Sequence, residues 1–226
     1  MHTINEHAGA ITRILVLLLL AGAISRADVL YNVTLNTGAL PAGNYSLFFQ
    51  LTDGSGTNDA NNTVMLSNFG FAGGSALAPP QLYGGAAGDL SSSVTLIDNS
   101  FFNAIVQGFT PGSQFTYRLD LSTNVDAGGT PDVFAMSVLR ANGVEIPTLD
   151  SSGANTLLTI TIGSPLWIQT FSADPNAATS TGDFITMDAP VVTPVGPAAV
   201  PEPSSLLLLG SGLAGCVRLI RRKLNQ

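Results

Sequence analysis

The sequence predicts an all-β fold: an antiparallel β-sandwich or jelly-roll-like single domain, flanked by an N-terminal signal peptide and a C-terminal transmembrane helix. Three observations carry that expectation. Between residues 28 and 200 the chain breaks into short runs that alternate apolar and polar side chains, the mark of strands with one buried face. Gly, Asn and Asp cluster between those runs and favour turns. No stretch of that region repeats its apolar residues at a helical spacing over several turns.

The chain opens with Arg13 and an unbroken apolar run over 14–24. Such a run has the length of a signal-peptide core and is too short to cross a bilayer, which takes roughly 17–25 residues. Ser25-Arg26-Ala27 puts small residues where signal peptidase reads, so cleavage is expected after Ala27. Residues 1–27 are therefore assigned to the signal peptide.

Residues 28–172 form the expected sandwich. The first strand covers 29–35, with Val29, Tyr31, Val33 and Leu35 on one face. The second covers 45–51 and alternates through Tyr45, Leu47, Phe49 and Leu51. Further strands are expected over 63–69, 93–98, 101–109, 114–121, 133–139, 156–162 and 166–171. Many short strands with turn signals between them fit a sandwich or a closed double sheet. The Gly- and Ala-rich stretch over 72–88 reads as a long connection. Residues 173–200, rich in Ala, Pro and Thr, read as a partly extended spacer with one further strand at 184–187.

The chain has 226 residues, 45% hydrophobic and 10% charged, with a formal charge of −7. Soluble domains average about a quarter charged residues, so this chain is poor in charge but too apolar for a charged disordered polymer. Six of its eight bases lie at the two ends. Residues 28–200 carry only Arg118 and Arg140 against thirteen acids, a charge of −11. Nucleic acid is excluded as a partner, because phosphate binding needs clustered Lys and Arg.

The residue types missing from 28–200 narrow the chemistry further. His2 and His7 lie in the signal segment, and Cys216 and Lys223 lie in the tail. Without His, Lys or Cys the body has no Ser-His-Asp or Cys-His catalysis, no Schiff base and no His/Cys zinc site. It also has no phosphate loop and no dinucleotide fingerprint. A carboxylate pair could still hydrolyse a glycoside, but the acids sit mostly beside Gly, Asn or Thr in predicted turns. The expectation is a protein that is not an enzyme and carries no organic cofactor.

Two kinds of ligand remain in view. Asp53, Ser55, Asn58 and Asp59 place carboxylate, hydroxyl and amide oxygens in one Gly-containing loop, the donor set that Ca²⁺ prefers. The loop departs from the EF-hand pattern, and the same residues also make an ordinary turn. Asp120, Asp126 and Asp132 form a second acidic group. For a polysaccharide the candidates are Tyr83, in the Gly-rich connection, and Trp167, the single tryptophan. Tyr31, Tyr45 and Tyr117 share the apolar faces of their strands and read as core.

The C-terminal end has a three-part order. Pro201-Glu202-Pro203 precedes an apolar segment from Ser204 to Ile220, interrupted by Arg218, and the cluster Arg221, Arg222 and Lys223 follows. The segment reaches the lower limit for a membrane helix, and the basic cluster belongs on the cytoplasmic side. Residues 201–226 resemble the PEP-CTERM sorting signal. That resemblance implies an exported bacterial protein, anchored transiently in the inner membrane with its C-terminus cytoplasmic and then processed by an exosortase. It further implies delivery to the cell surface or to an exopolysaccharide-rich biofilm matrix. The opening Tyr31-Asn32-Val33-Thr34-Leu35 strand and the string Phe48-Phe49-Gln50-Leu51-Thr52-Asp53 are similar to the β-rich domains such proteins export, for which the resemblance implies no activity.

Overall fold

The computed structural model describes residues 28–77, 79–125 and 129–196. The predicted signal segment, the apolar tail and the basic cluster lie outside them. Within the described residues the chain is all-β and antiparallel, as the alternation predicts. Its strands are β1 (Asp28–Leu35), β2 (Tyr45–Thr52), β3 (Thr63–Gly70), β4 (Ser75–Ala76), β5 (Gln81–Tyr83), β6 (Gly85–Gly88) and β7 (Ser93–Ile97). They continue as β8 (Phe102–Thr110), β9 (Phe115–Ser122), β10 (Asp132–Arg140), β11 (Leu158–Ile162), β12 (Trp167–Thr170) and β13 (Val191–Pro194).

Two sheets result. One runs β13-β1-β9-β3-β7-β6; the other runs β12-β11-β10-β2-β8, with β4 and β5 both paired to the far side of β8. The long strands change sheet at almost every connection, so β2 lies between β8 and β10 while β9 lies between β1 and β3. Alternation decides which face each strand buries. In β2, Tyr45, Leu47, Phe49 and Leu51 are buried while Ser46, Phe48, Gln50 and Thr52 are half-exposed. The same rule buries Phe115, Tyr117, Leu119 and Leu121 of β9. The inner faces meet in one apolar core. Phe49 of one sheet packs edge-on against Tyr117 of the other, ring centroids 5.4 Å apart, and Phe109 meets Phe115 at 6.2 Å. Such contacts add to what burial of the rings already contributes.

The structure departs from the sequence reading in two places. The Gly-rich connection contains β4, β5 and β6, edge strands of two to four residues. Their sequences lack β-branched and alternating residues, so their order comes from backbone pairing to β8 and β7 rather than from side-chain burial. The second departure is the supposed spacer. Ala173, Ile185 and Met187 are buried in the core, and β13 pairs with β1. The strand expected at 184–187 is absent: Ile185 and Met187 point inward and Phe184 outward as the alternation implies, but that segment joins no sheet. The last strand lies later, at β13, where it covers the open edge of β1.

A single glycine sets the route from one sheet to the other. Between β5 and β6 the chain crosses at Gly84, whose φ is +57°. A Cβ there would stand 2.3 Å from the Phe102 carbonyl oxygen, so both the turn and the close approach require glycine. Asn103, fully buried, braces the crossing: its Oδ1 accepts from Gly85 N at 2.8 Å and its Nδ2 donates to Leu51 O at 3.2 Å.

Candidate functional site

Three regions draw residues with chemical capacity together. The first is a polar end of the sandwich, where the loop after β2 meets the end of β7 and the start of β10. Asp53 is buried there and serves its own loop. Its Oδ1 accepts from Ser55 Oγ at 3.0 Å and Gly56 N at 2.7 Å, and its Oδ2 accepts from Asn58 N. Burial pushes its carboxyl up, but the donors from Asn58, Ser55 and Gly56 outweigh that and hold it below the usual carboxylate range. The structure thus unites Asp53, Ser55 and Asn58 but not Asp59, whose oxygens accept from Asn61 at the surface. Asp120 and Asp132 are not brought together either. Asp120 faces outward on β9 while Asp132 is buried, and Asp126 lies outside the described residues.

Asn62 and Asp98, which sequence reasoning does not single out, organise this end. Asn62 N donates to Asp98 Oδ2 at 2.9 Å and Asn62 Nδ2 donates to Asp132 Oδ2 at 2.7 Å. Gly54 N donates to Asp132 Oδ1 at 2.9 Å. Asn62 Oδ1 accepts from Asn124 N at 2.9 Å, so the backbone N–H and side chain of Asn62 together tie its segment to those of Asp98, Asn124 and Asp132. Asp98 is fully buried, and its Oδ1 has no donor among the described residues. Burial pushes its carboxyl up to about 7, and Asp132, within hydrogen-bonding reach, adds to the rise. A proton on Asp98 would give the orphaned oxygen a partner in Asp132, so this end can hold a proton near neutrality. Among the described residues no group of three or more His, Cys, Asp or Glu is arranged to hold a metal ion. Nothing in the local sequence marks Asp98: it ends an apolar run as any turn residue would.

The second region is the outer face of the β12-β11-β10-β2-β8-β5 sheet. Both aromatic candidates lie on it, Trp167 at 65% exposure and Tyr83 at 44%. Register sets the residues of this face in rows, of which Ala104, Ala135 and Ser137 are buried. Trp167, Thr161, Val133, Thr52 and Phe102 form one row across five strands. Gln169, Thr159, Ala135, Gln50, Ala104 and Tyr83 form the next. Ser137, Phe48, Val106 and Gln81 form a third. The rings of Tyr83 and Phe102 lie 6.1 Å apart, those of Phe48 and Phe102 6.3 Å apart. Tyr83 Oη donates to Gln81 Oε1 at 3.0 Å, which sets the ring's direction. Sequence reasoning names Tyr83 and Trp167 but not Phe48 or Phe102. The outer face of the other sheet is different in kind, for it presents Arg118 and Asp120.

The third region is a cavity of about 550 Å³ between residues 37–44 and 110–113. Its walls hold no acid, base or thiol, and their polar side chains are those of Thr37, Asn44, Thr110 and Ser113.

The sorting residues Pro201, Glu202, Pro203, Arg221, Arg222 and Lys223 lie outside the described residues. Comparison by sequence nevertheless reaches them: residues 199–223 match the family model of the PEP-CTERM protein-sorting motif. No curated protein and no solved structure matches the chain.

Proposed function

We propose that this PEP-CTERM-bearing chain is a non-enzymatic protein of the cell surface or extracellular matrix, whose β-sandwich is the exported cargo of an exosortase-type sorting system. The observation that carries the reading is the sorting motif at residues 199–223. The motif marks an exported protein, held in the membrane by its C-terminal end before exosortase processing. Two features of the body support the rest of the reading. Residues 28–200 have no His, Lys or Cys for nucleophilic or Schiff-base chemistry. The acid pair at the polar end is buried under its own loops, where a polymeric substrate has no access.

The test is fractionation of a host that carries an exosortase, with one epitope tag after residue 27 and another after residue 226. The first tag is expected outside the cell or on its surface without the second. An intact, doubly tagged chain retained in the inner membrane would overturn the sorting step. Hydrolysis of a glycan panel by the purified chain would overturn the non-enzymatic reading.

A second reading, that the cargo is a polysaccharide-binding module, is favoured by the outward aromatic cluster of Phe48, Phe102 and Tyr83.

A further inference from the structure

We propose that the outer face of the seven-stranded sheet binds a neutral glycan chain, with Phe48, Phe102 and Tyr83 as the aromatic floor and Gln50 and Gln81 as the flanking amides. The inference rests on the reading that the sandwich works outside the cell, and it names the ligand class of that cargo.

The face differs in charge from the rest of the body. The body carries thirteen acids against two arginines, yet the outward positions of β2, β5, β8, β10, β11 and β12 are Ser, Thr, Gln, Ala, Val, Gly, Leu and aromatic residues throughout. This face offers no cation to an anionic polymer, and the acidic body around it repels one. Its one carboxylate in register, Glu145, is bridged to Leu139 at the edge of β10, two strands from Phe48, and gives a cationic partner a single distant contact. A neutral ligand meets neither obstacle.

The mixture of side chains points the same way. Aromatic ring faces carry partial negative charge, which suits the C–H-lined face of a pyranose ring. The amides of Gln50 and Gln81 and the hydroxyls of Thr52 and Ser46 stand in the same or adjacent rows, where they can pair with sugar hydroxyls. A few placed polar groups among apolar ones is the usual make-up of a recognition surface. A second copy of this chain is a poorer occupant. Docking two such faces would strip water from those amides and hydroxyls with no charge across the interface to compensate.

Distance and twist separate Trp167 from the aromatic cluster. Trp167 shares a row with Phe102 but stands four strands away, roughly 19 Å at ordinary strand spacing. Sheet twist of about 20–25° per strand turns its outward direction well away from that of Phe102. The cluster on β2, β8 and β5 is therefore the principal site, and Trp167 is at most an outlying contact for a long chain.

The test is native affinity electrophoresis of the full chain through gels containing laminarin, galactomannan or dextran, with alginate as the anionic control. At least one neutral glycan is expected to retard the protein while alginate does not. The Tyr83→Ala/Phe102→Ala double variant is expected to weaken retardation at least about tenfold, and Trp167→Ala much less. All of these side chains are exposed, and each variant is to melt with the parent chain. If melting shows a variant misfolded, Tyr83→Ser and Phe48→Ser replace it. Four results would overturn the inference: no retardation by any neutral glycan, equal retardation by alginate, retardation unchanged in the double variant, or a concentration-dependent dimer that the double variant abolishes. Any of them obtained with export and processing intact would leave the sorting reading standing.

Discussion

Arg140 and Asp183 form an ion pair, Nη2 to Oδ2 at 2.6 Å, that joins β10 to the segment following β12. The guanidinium also lies over the Tyr45 ring, 5.9 Å from its centroid. The Thr181 hydroxyl and then the Arg140 guanidinium hold the Asp183 carboxyl below its ordinary range. Close by in sequence, Asn142 Nδ2 donates to Ser180 Oγ at 2.8 Å, and Ile185 and Met187 enter the core. Residues 173–194 are therefore part of the sandwich, and the link to the sorting motif begins after β13.

That placement has a measurable cost when it is undone. Ile185→Ala and Met187→Ala are each expected to lose about 2–4 kcal/mol in urea unfolding, the range for a truncated core side chain. Asp183→Asn should lose less, because Asp183 is the exposed partner and an amide oxygen there can still accept from Arg140 Nη2. A chain ended after residue 172 should lose its cooperative melt. If it melts like the parent, the segment is only a tether.

Asp98 should make stability depend on pH in the sense opposite to most carboxyls. Its folded value of about 7 lies above the ordinary 3.8. The stabilisation is fully present below 3.8 and is lost as pH rises through 7. Asp53 and Asp150, both lowered by hydrogen bonds that outweigh their burial, act the other way, losing stabilisation as the pH falls below 3.8. Stability is expected to peak near pH 4–5 and decline towards pH 8. Asp98→Asn should remove the decline, since its amide can donate to Asp132 and still accept from Asn62 N. The expected gain at pH 8 is about 1–3 kcal/mol, discounted from the full shift for the neighbouring Asp132 and Asp59. An equal loss of stability at pH 5 and pH 8 would refute a proton held at this position.

Asp53 is expected to act on stability whether or not calcium is present. Its two oxygens already accept from Ser55, Gly56 and Asn58, so a bound ion would have to displace those donors. Asp53→Ala should cost about 1.5–3 kcal/mol, the range for hydrogen bonds to a charged group, equally in Ca²⁺ and in EGTA. A melting temperature that rises with millimolar Ca²⁺ in the parent but not in Asp53→Ala would restore the loop as a cation site.

How far the fold could be read from sequence depended on whether the information was local. The alternation of Tyr45, Leu47, Phe49 and Leu51 is local, and it sorts the two faces of β2 correctly. The pairing of β2 is not local: its neighbours begin fifty residues or more away, at Phe102 and Asp132. Tyr83 and Trp167 could therefore be named one at a time, while their common face and the partners Phe48 and Phe102 emerge only from register. The proton-holding end was hidden for the same reason, because Asn62, Asp98 and Asp132 belong to three separate segments whose meeting no local spacing encodes. The buried tail was hidden by composition. Ile185 and Met187 are two apolar residues in an Ala-, Pro- and Thr-rich stretch, too few to distinguish a packed segment from a tether.

Gly84 links the fold to the proposed glycan face, and one pair of substitutions separates two reasons for its being glycine. Both Gly84 and Gly143 have positive φ, +57° and +79°. A Cβ at Gly143 meets nothing within 4 Å, so Gly143→Ala should cost only backbone strain, about 1 kcal/mol. At Gly84 the same atom would strike Phe102 O at 2.3 Å and Asn103 Oδ1 at 2.6 Å. Neither neighbour can yield cheaply: Phe102 O belongs to the backbone of β8, and Asn103 is buried with its amide committed to Leu51 O and Ser100 O. The chain must instead move at the crossing, which carries Tyr83 away from Phe102. Gly84→Ala is therefore expected to cost at least about 2 kcal/mol more than Gly143→Ala in urea unfolding. It should also weaken glycan retardation about as much as Tyr83→Ala, while Gly143→Ala leaves retardation unchanged. Equal stability losses in the two variants would mean that the close approach at Gly84 carries no weight.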